Sequence, residues 1–399
     1  MVGLSLALLL AQQRRWRIIV LESQPLEGRA GTDYSPSFDA RSTALSWSSR
    51  KIFQVIDIWS QLECQAAAIR QIHVSDRGHI GQTRIDAQEA GVEALGYVVE
   101  NSCLGSVLLH RAADSDIRLC GSTKVTDIKP LAESMQLTIE NQQQDAAAGT
   151  QINSKLLIIA DGAGSASAQK LGIQQHSKPY GHSALIANIS LQDSHRGIAY
   201  ERFTDQGPMA MLPLTNFDKR PRAALVWTQP TELAERLMDA DDSSFLNALQ
   251  QRFGFRMGQL IGLGDRVSYP LALTTTEEQV RRRLVVIGNA AHSLHPVAGQ
   301  GFNLSLRDIA ALAETLANCP EDGDIGALDN LQQYATQQAA DQRRTIMLSD
   351  SLPKLFGLSS SAVALGRNSG LLLMDMIPPL RNNFARLGMG LGSPQADYG

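Results

Sequence analysis

Paired cysteines are what this chain most plainly lacks. Its four cysteines (Cys64, Cys103, Cys120 and Cys319) are scattered through 399 residues with no C-x-x-C spacing. That excludes a disulfide framework and favours reduced thiols in a cytosol-like compartment. A basic excess is also absent. The 36 Lys and Arg stand against 40 Asp and Glu, a formal charge of -4, which leaves no electrostatic footprint for nucleic acid. Long apolar runs are missing too. Met1–Ala11 is apolar, but no basic region precedes it, so it does not read as a signal peptide. It is also far shorter than the ~20 residues that span a bilayer. Metal ligands do not cluster: His292-x-x-His295 supplies half a zinc site and nothing completes it, so no metal is expected. No internal repeat is apparent.

What remains is an ordinary globular composition, 43% hydrophobic and 19% charged, long enough for two or three subdomains. The most informative stretch is Leu284–Leu312. A buried strand, Leu284–Ile287, runs into Gly288-Asn289. A loop with Pro296 and the run Gly299-Gln300-Gly301 follows, and a helix begins near Phe302. Strand, glycine turn, close-approach loop and helix N-terminus together cradle a large anionic or electron-rich cofactor.

Two further segments have the same character. Met1-Val2-Gly3, a Leu/Ala helix and then RIIVLE form the back half of a βαβ nucleotide unit. Gly3 stands at the last glycine of G-x-G-x-x-G. Glu22 lies where an acidic side chain meets ribose hydroxyls. The first strand and first two glycines of such a unit are not in the sequence, and about ten upstream residues carrying them are expected before Met1. Lys155–Ser165, KLLIIADGAGS, is an apolar strand ending in Asp161-Gly162.

The remaining pattern expects helices at Gly3–Gln12, Ser42–Leu62, Cys103–Ala112, Ile309–Ala317 and Leu328–Leu358. Strands are expected at Trp16–Leu21 and Lys155–Ala160, and β structure across Gln71–Val99. A strand-rich stretch, Tyr180–Pro270, is interrupted by a helical insertion at Thr231–Phe253, and a polar loop spans Asn141–Thr150. The fold class is α/β. It consists of a Rossmann-like nucleotide domain (residues 1–70, 98–172 and 271–325) interrupted by a β-rich substrate domain (71–97 and 173–270), then a C-terminal helical region (326–399).

These motifs, in this order, resemble the FAD-dependent aromatic hydroxylases of ubiquinone biosynthesis. HVSDRGHIG, YERFTDQGPMAMLPL, YPLALT and GNAAHSLHPVAGQGFNLSLRD are most similar to the subgroup acting on 2-polyprenyl-6-methoxyphenols. The family's second flavin fingerprint has Asp where this chain has Asn289. Its D-G-x-x-S-x-x-R fingerprint ends in Arg where this chain has Ala168. The resemblance implies FAD as cofactor, NADPH or NADH as co-substrate, and hydroxylation of an electron-rich phenol by flavin-activated dioxygen. It implies that Gly3, Glu22, Arg41, Asp161, Gly162, Gly288, Asn289, Pro296, Gly299, Gln300, Gly301, Phe302 and Asn303 hold the cofactor. Backbone N–H groups of Gln300–Asn303 would stabilise negative charge on reduced flavin. No catalytic base is identified. The implied partners are a polyprenylated phenol and proteins of a biosynthetic complex. The location is cytoplasmic, with peripheral membrane contact through Leu371–Ile377. Two alternatives remain open. One is a related hydroxylase with another ring position or a small soluble phenol, and the other is a non-catalytic member of the complex.

Overall fold

The computed structural model describes residues 1–26, 41–141, 149–358 and 360–391. Most of the polar loop expected at Asn141–Thr150, the residues 27–40 that precede Arg41 and the last eight residues lie outside the described residues.

The first helix, Val2–Ala11, is apolar all round, and such a helix is stable only when enclosed. Leu4, Leu6, Leu8, Leu9 and Leu10 are buried in the largest core, against Val285, Ile287, Leu306 and Leu312. Beside it lie two small sheets with parallel pairing. Ile19–Leu21 pairs with Arg118–Cys120, and Leu157–Ile159 pairs with Leu284–Val286. The second sheet gains an antiparallel neighbour in Val280–Arg281.

The second body is a nine-stranded sheet. From one edge its order is His292–Ser293, Val267–Thr276, Gln175–Leu191, Arg220–Pro230, Gly207–Phe217, Ile198–Thr204, Gln71–Asp76 and Gln82–Asp86. Leu260–Leu263 also pairs with Gln175–Leu191. Pairing is antiparallel except where Ile198–Thr204 runs parallel to Gln71–Asp76. Helices Thr231–Asp239 and Asp242–Phe253 cover one face. Phe245, Leu249 and Phe253 pack there on Met209, Leu225 and Trp227. The expected division points fall inside paired strands: Gly96–Glu100 crosses 98, and Val267–Thr276 crosses 271.

One expected helix begins late. Ser42–Ser46 is a strand, antiparallel to Gly96–Glu100, and the helix runs from Trp47 to Val55. Pairing to a distant strand buries Leu45 and overrides the local helical pattern. Ser46 then caps the helix by accepting from Ser49 N.

The C-terminal helices Leu328–Gly357, Ser361–Met376 and Pro378–Gly388 close the open face of the large sheet. Phe356 stacks on Phe203 with ring centroids 3.8 Å apart, in a cluster that also holds Val297 and Leu371. Polar ties fix the helix Ser361–Met376. Arg367 Nε donates to Asp76 Oδ2 at 2.7 Å, and Gly81 N donates to Asn368 Oδ1 at 2.7 Å.

Candidate active site

A continuous cavity of about 2850 Å³ runs from the small parallel sheets, past the loop after His295, to the C-terminal helices. Single-ligand pockets are typically ~300–1,000 Å³, so this one has room for a dinucleotide and a second compound.

Its nucleotide end is built by backbone. Met1–Leu4, at the uncapped start of the first helix, line the wall. A Cβ at Gly3 would stand 3.3 Å from the Ala160 Cβ, so a larger residue would press the helix off the end of strand Leu157–Ile159. Glu22 follows strand Ile19–Leu21 and is braced by the Gln24 N–H, which donates to its Oε1 at 3.0 Å. Asp161 Oδ2 accepts from Ser167 N at 3.1 Å, and Gly162 makes the turn after it.

The other end of the cradle is the loop from Gly288 to Phe302. Gly299 caps the helix Gln300–Ala317 in the left-handed region (φ 61°) and offers no side chain to the first N–H groups. Those donors therefore remain for a ligand. A Cβ on Gly301 would meet no protein atom within 4 Å, whereas one on Gly299 would stand 3.1 Å from the Ala44 Cβ. Gly299 is thus set by protein packing, and Gly301 opens on space a ligand can fill. The Arg41 guanidinium lies over the Tyr269 ring, 4.7 Å from its centroid, and both line the cavity.

Of the thirteen residues expected at the cofactor, all line this cavity except Asn303. The Asn303 side chain is a structural tie. Its Oδ1 accepts from Ser46 N (2.8 Å) and Ser49 Oγ (2.7 Å), and its Nδ2 donates to Ala44 O and Gly299 O (both 2.8 Å). It fastens the strand Ser42–Ser46 to the helix start and so holds the donors of Gln300–Phe302 in place. An uncapped helix start, open space at Gly301 and a braced Glu22 about 20 residues after Gly3 fit FAD.

The two histidines diverge. His292 is fully buried and hydrogen-bonds Asp308 Oδ2 at 2.6 Å, while Gln342 Nε2 donates to Asp308 Oδ1 at 3.0 Å. His295 lines the cavity just before Pro296, edge-on to Tyr180 at 5.3 Å. Burial, with His182 nearby, pushes its pKa down to about 4, so it is neutral near pH 7.

The far compartment carries no motif, and sequence reading missed it. Its walls are Ile72, Val74, Ile85 and Leu212 from the sheet, and Leu352, Phe356, Leu371 and Met374 from the helices. Glu201, from the YERF segment, lies among them. Only period-two spacing along Ile198–Thr204 could have marked Glu201 and Phe203 as sharing a face.

Comparison with known proteins agrees with this geometry. The family model described as "FAD binding domain" matches residues 2–345. Ubiquinone hydroxylase UbiL of Rhodospirillum rubrum is 31% identical over 98% of this chain and 87% of its own. The 3-demethoxyubiquinol 3-hydroxylase of Escherichia coli is 28% identical over 98% of this chain and 96% of its own. Among solved structures, p-nitrophenol 4-monooxygenase PnpA of Pseudomonas putida superposes with a TM-score of 0.76. It covers 99% of this chain and 96% of its own at 15% identity, which speaks for the fold alone. The chain belongs to the FAD binding domain family and is an FAD-dependent monooxygenase of the aromatic-hydroxylase fold.

Proposed function

We propose that this enzyme hydroxylates the ring of a polyprenylated phenol in ubiquinone biosynthesis, using NADPH or NADH and dioxygen. The observation that carries the reading is the cavity itself, in which a backbone-built nucleotide cradle opens into a long apolar compartment. The names of the relatives support the same pathway.

When bound, FAD supplies the oxygen-activating redox chemistry. The chain's own residues do the rest. Glu22 takes the ribose hydroxyls, and the start of Val2–Ala11 with Asp161-Gly162 and Gly288-Asn289 takes the diphosphate side. The N–H groups of Gln300–Phe302 would hold its ring system, and donors at a helix start favour negative charge there. Pro296 and Gly299 shape the loop against it, with Arg41 on Tyr269 alongside. In this reading residues 1–70, 98–172 and 271–325 serve the nucleotide. Residues 71–97 and 173–270, with the C-terminal helices, serve the substrate.

The tail enters from a membrane surface. No helix among the described residues is long and apolar enough to cross a bilayer. Yet Leu365, Leu373 and Met376 are exposed on the helix whose side chains Leu371 and Met374 line the cavity, and Leu380 is exposed on the helix that follows. Such a surface suits peripheral contact.

The test is turnover with paired substrates. Each buried methylene contributes ~0.8 kcal/mol, so a short-chain 2-prenylphenol should exceed the tail-free phenol by at least about 100-fold in kcat/KM. Equal values would transfer the reading to a small soluble phenol. A purified protein without flavin and without turnover would point to a non-catalytic role.

A further inference from the structure

We infer that His295 is the side chain that takes the ring oxygen of the phenol substrate, by donating a hydrogen bond from its imidazole Nε2; this rests on the function proposed above. His295 lies between the strand His292–Ser293 and the turn Val297–Gly299, and it lines the cavity. Both flanks are fixed. Ser293 pairs with Thr274 of the large sheet, and Val297 packs into the cluster of Phe203, Phe356 and Leu371. The residue therefore stands where the cofactor loop meets the apolar compartment. Packing orients the ring. Tyr180 meets it edge-on with centroids 5.3 Å apart, and Tyr180 is itself held on two sides. Its hydroxyl donates to Asp350 Oδ1 at 2.9 Å, and its carbonyl accepts from His182 Nδ1 at 2.9 Å.

Neither ring nitrogen is used by the described residues. Nδ1 is buried without a hydrogen-bond partner, and Nε2, the nitrogen left open, bonds to none of them either. His292, three residues earlier, differs, because its Nε2 is spent on Asp308. A neutral imidazole carries one N–H and one bare lone pair. A buried N–H without an acceptor is the costlier orphan, so the lone pair belongs at Nδ1 and the proton at Nε2. Several charged side chains of the same cavity are already occupied. Arg307 and Arg344 pair with Asp341, Arg367 pairs with Asp76, and Glu201 is engaged within the chain. Ligand pockets set a few polar groups in apolar walls, and a phenol needs one such anchor for its hydroxyl. An N–H donor at the ring oxygen favours negative charge developing there. That charge is shared with the ring carbons, which makes them better nucleophiles toward activated oxygen.

The test uses the flavin-loaded protein. Two donorless variants, His295→Phe and His295→Leu, guard against misfolding of either, and His295→Gln retains an N–H. Without NAD(P)H, 4-nitrophenol bound at fixed pH reports the charge on its ring oxygen through its absorbance. A hydrogen bond to a charged group shifts an equilibrium about tenfold or more, so the bound nitrophenolate-to-nitrophenol ratio should fall about 10-fold in the donorless variants. His295→Gln should keep part of it. With a short-chain 2-prenylphenol, kcat/KM should fall about 10-fold in His295→Phe, a larger fall than in flavin reduction by NAD(P)H measured without phenol. Equal ratios in all four proteins overturn the inference. So does slowed flavin reduction in the donorless variants with unaltered ratios, which would give the ring to the nicotinamide. Loss of flavin from both donorless variants would also overturn it and make His295 a brace of the cofactor loop. If the wild type hydroxylates no phenol while the difference in ratios persists, the pathway assignment fails and the role of His295 as donor to a phenol oxygen stands.

Discussion

The two ends of the cavity are built on different terms. The nucleotide end uses backbone: an uncapped helix start, a left-handed Gly299, and short polar braces on Glu22 and Asp161. The substrate end uses bulk: Phe203 on Phe356, with Leu371, Val74 and Leu352 around them. A phosphate or a flavin ring edge needs donors at fixed positions, so few residue types are tolerated at the first end. The isoprenoid tail proposed for the second end would need only volume and dryness, so many apolar combinations would serve there. Change at the first end should therefore cost the ligand and spare the fold. Change at the second should cost stability first.

The largest effect expected is Gly301→Asp. Its side chain enters space that no protein atom contests and sets negative charge beside reduced flavin. Flavin affinity should fall by at least about 100-fold, roughly 3 kcal/mol, while the apoprotein melts within about 2 °C of the wild-type apoprotein. Titration of released FAD and calorimetry check both halves. Unchanged flavin content would move the cofactor away from this loop.

Phe356→Ala is the mirror experiment. Deleting a stacked, buried ring should cost about 3–5 kcal/mol in denaturant unfolding, with flavin content retained in the folded fraction. Loss of flavin from the folded fraction would break the separation of the two ends.

His295 sits between them and should show in pH dependence. Its folded pKa is about 4, against about 6.5 unfolded, and it is 3% exposed. The folded state thus binds fewer protons. Stability is fully present above about pH 6.5 and is lost as pH falls toward 4, by up to about 3 kcal/mol. His295→Gln should flatten that part of the acid limb. An identical limb in both proteins would show that other groups set it.

The smallest stability effect belongs to the outer surface. Met376 is 76% exposed, so Met376→Glu should change stability by less than about 0.5 kcal/mol. It should still weaken co-sedimentation with anionic vesicles. Unaltered sedimentation would remove Met376 from the proposed membrane contact.

Legibility from sequence followed the same divide. Gly3, Glu22, Asp161-Gly162 and the glycines of Gly288–Phe302 stand out in the sequence because backbone requirements leave glycines and acids at set distances in short segments. The side chain of Asn303 has a role the sequence does not show: the fold uses its amide to join Ser46 and Ser49 to the helix start. Nothing local in the sequence carries that information, because its partners lie about 250 residues away. The strand Ser42–Ser46 was hidden for a similar reason: its pairing with Gly96–Glu100 outweighs local propensity.

Sequence alone determined the α/β class and the expectation of FAD, because cofactor recognition is written in contiguous turns and helix starts. Only tertiary structure decided what the C-terminal helices cover, which face of YERF looks inward and where His292 and His295 part. Those outcomes depend on which apolar surfaces meet across the chain, and hydrophobic burial is non-directional. A Leu or Phe records that it will be buried, and the assembled fold records against what.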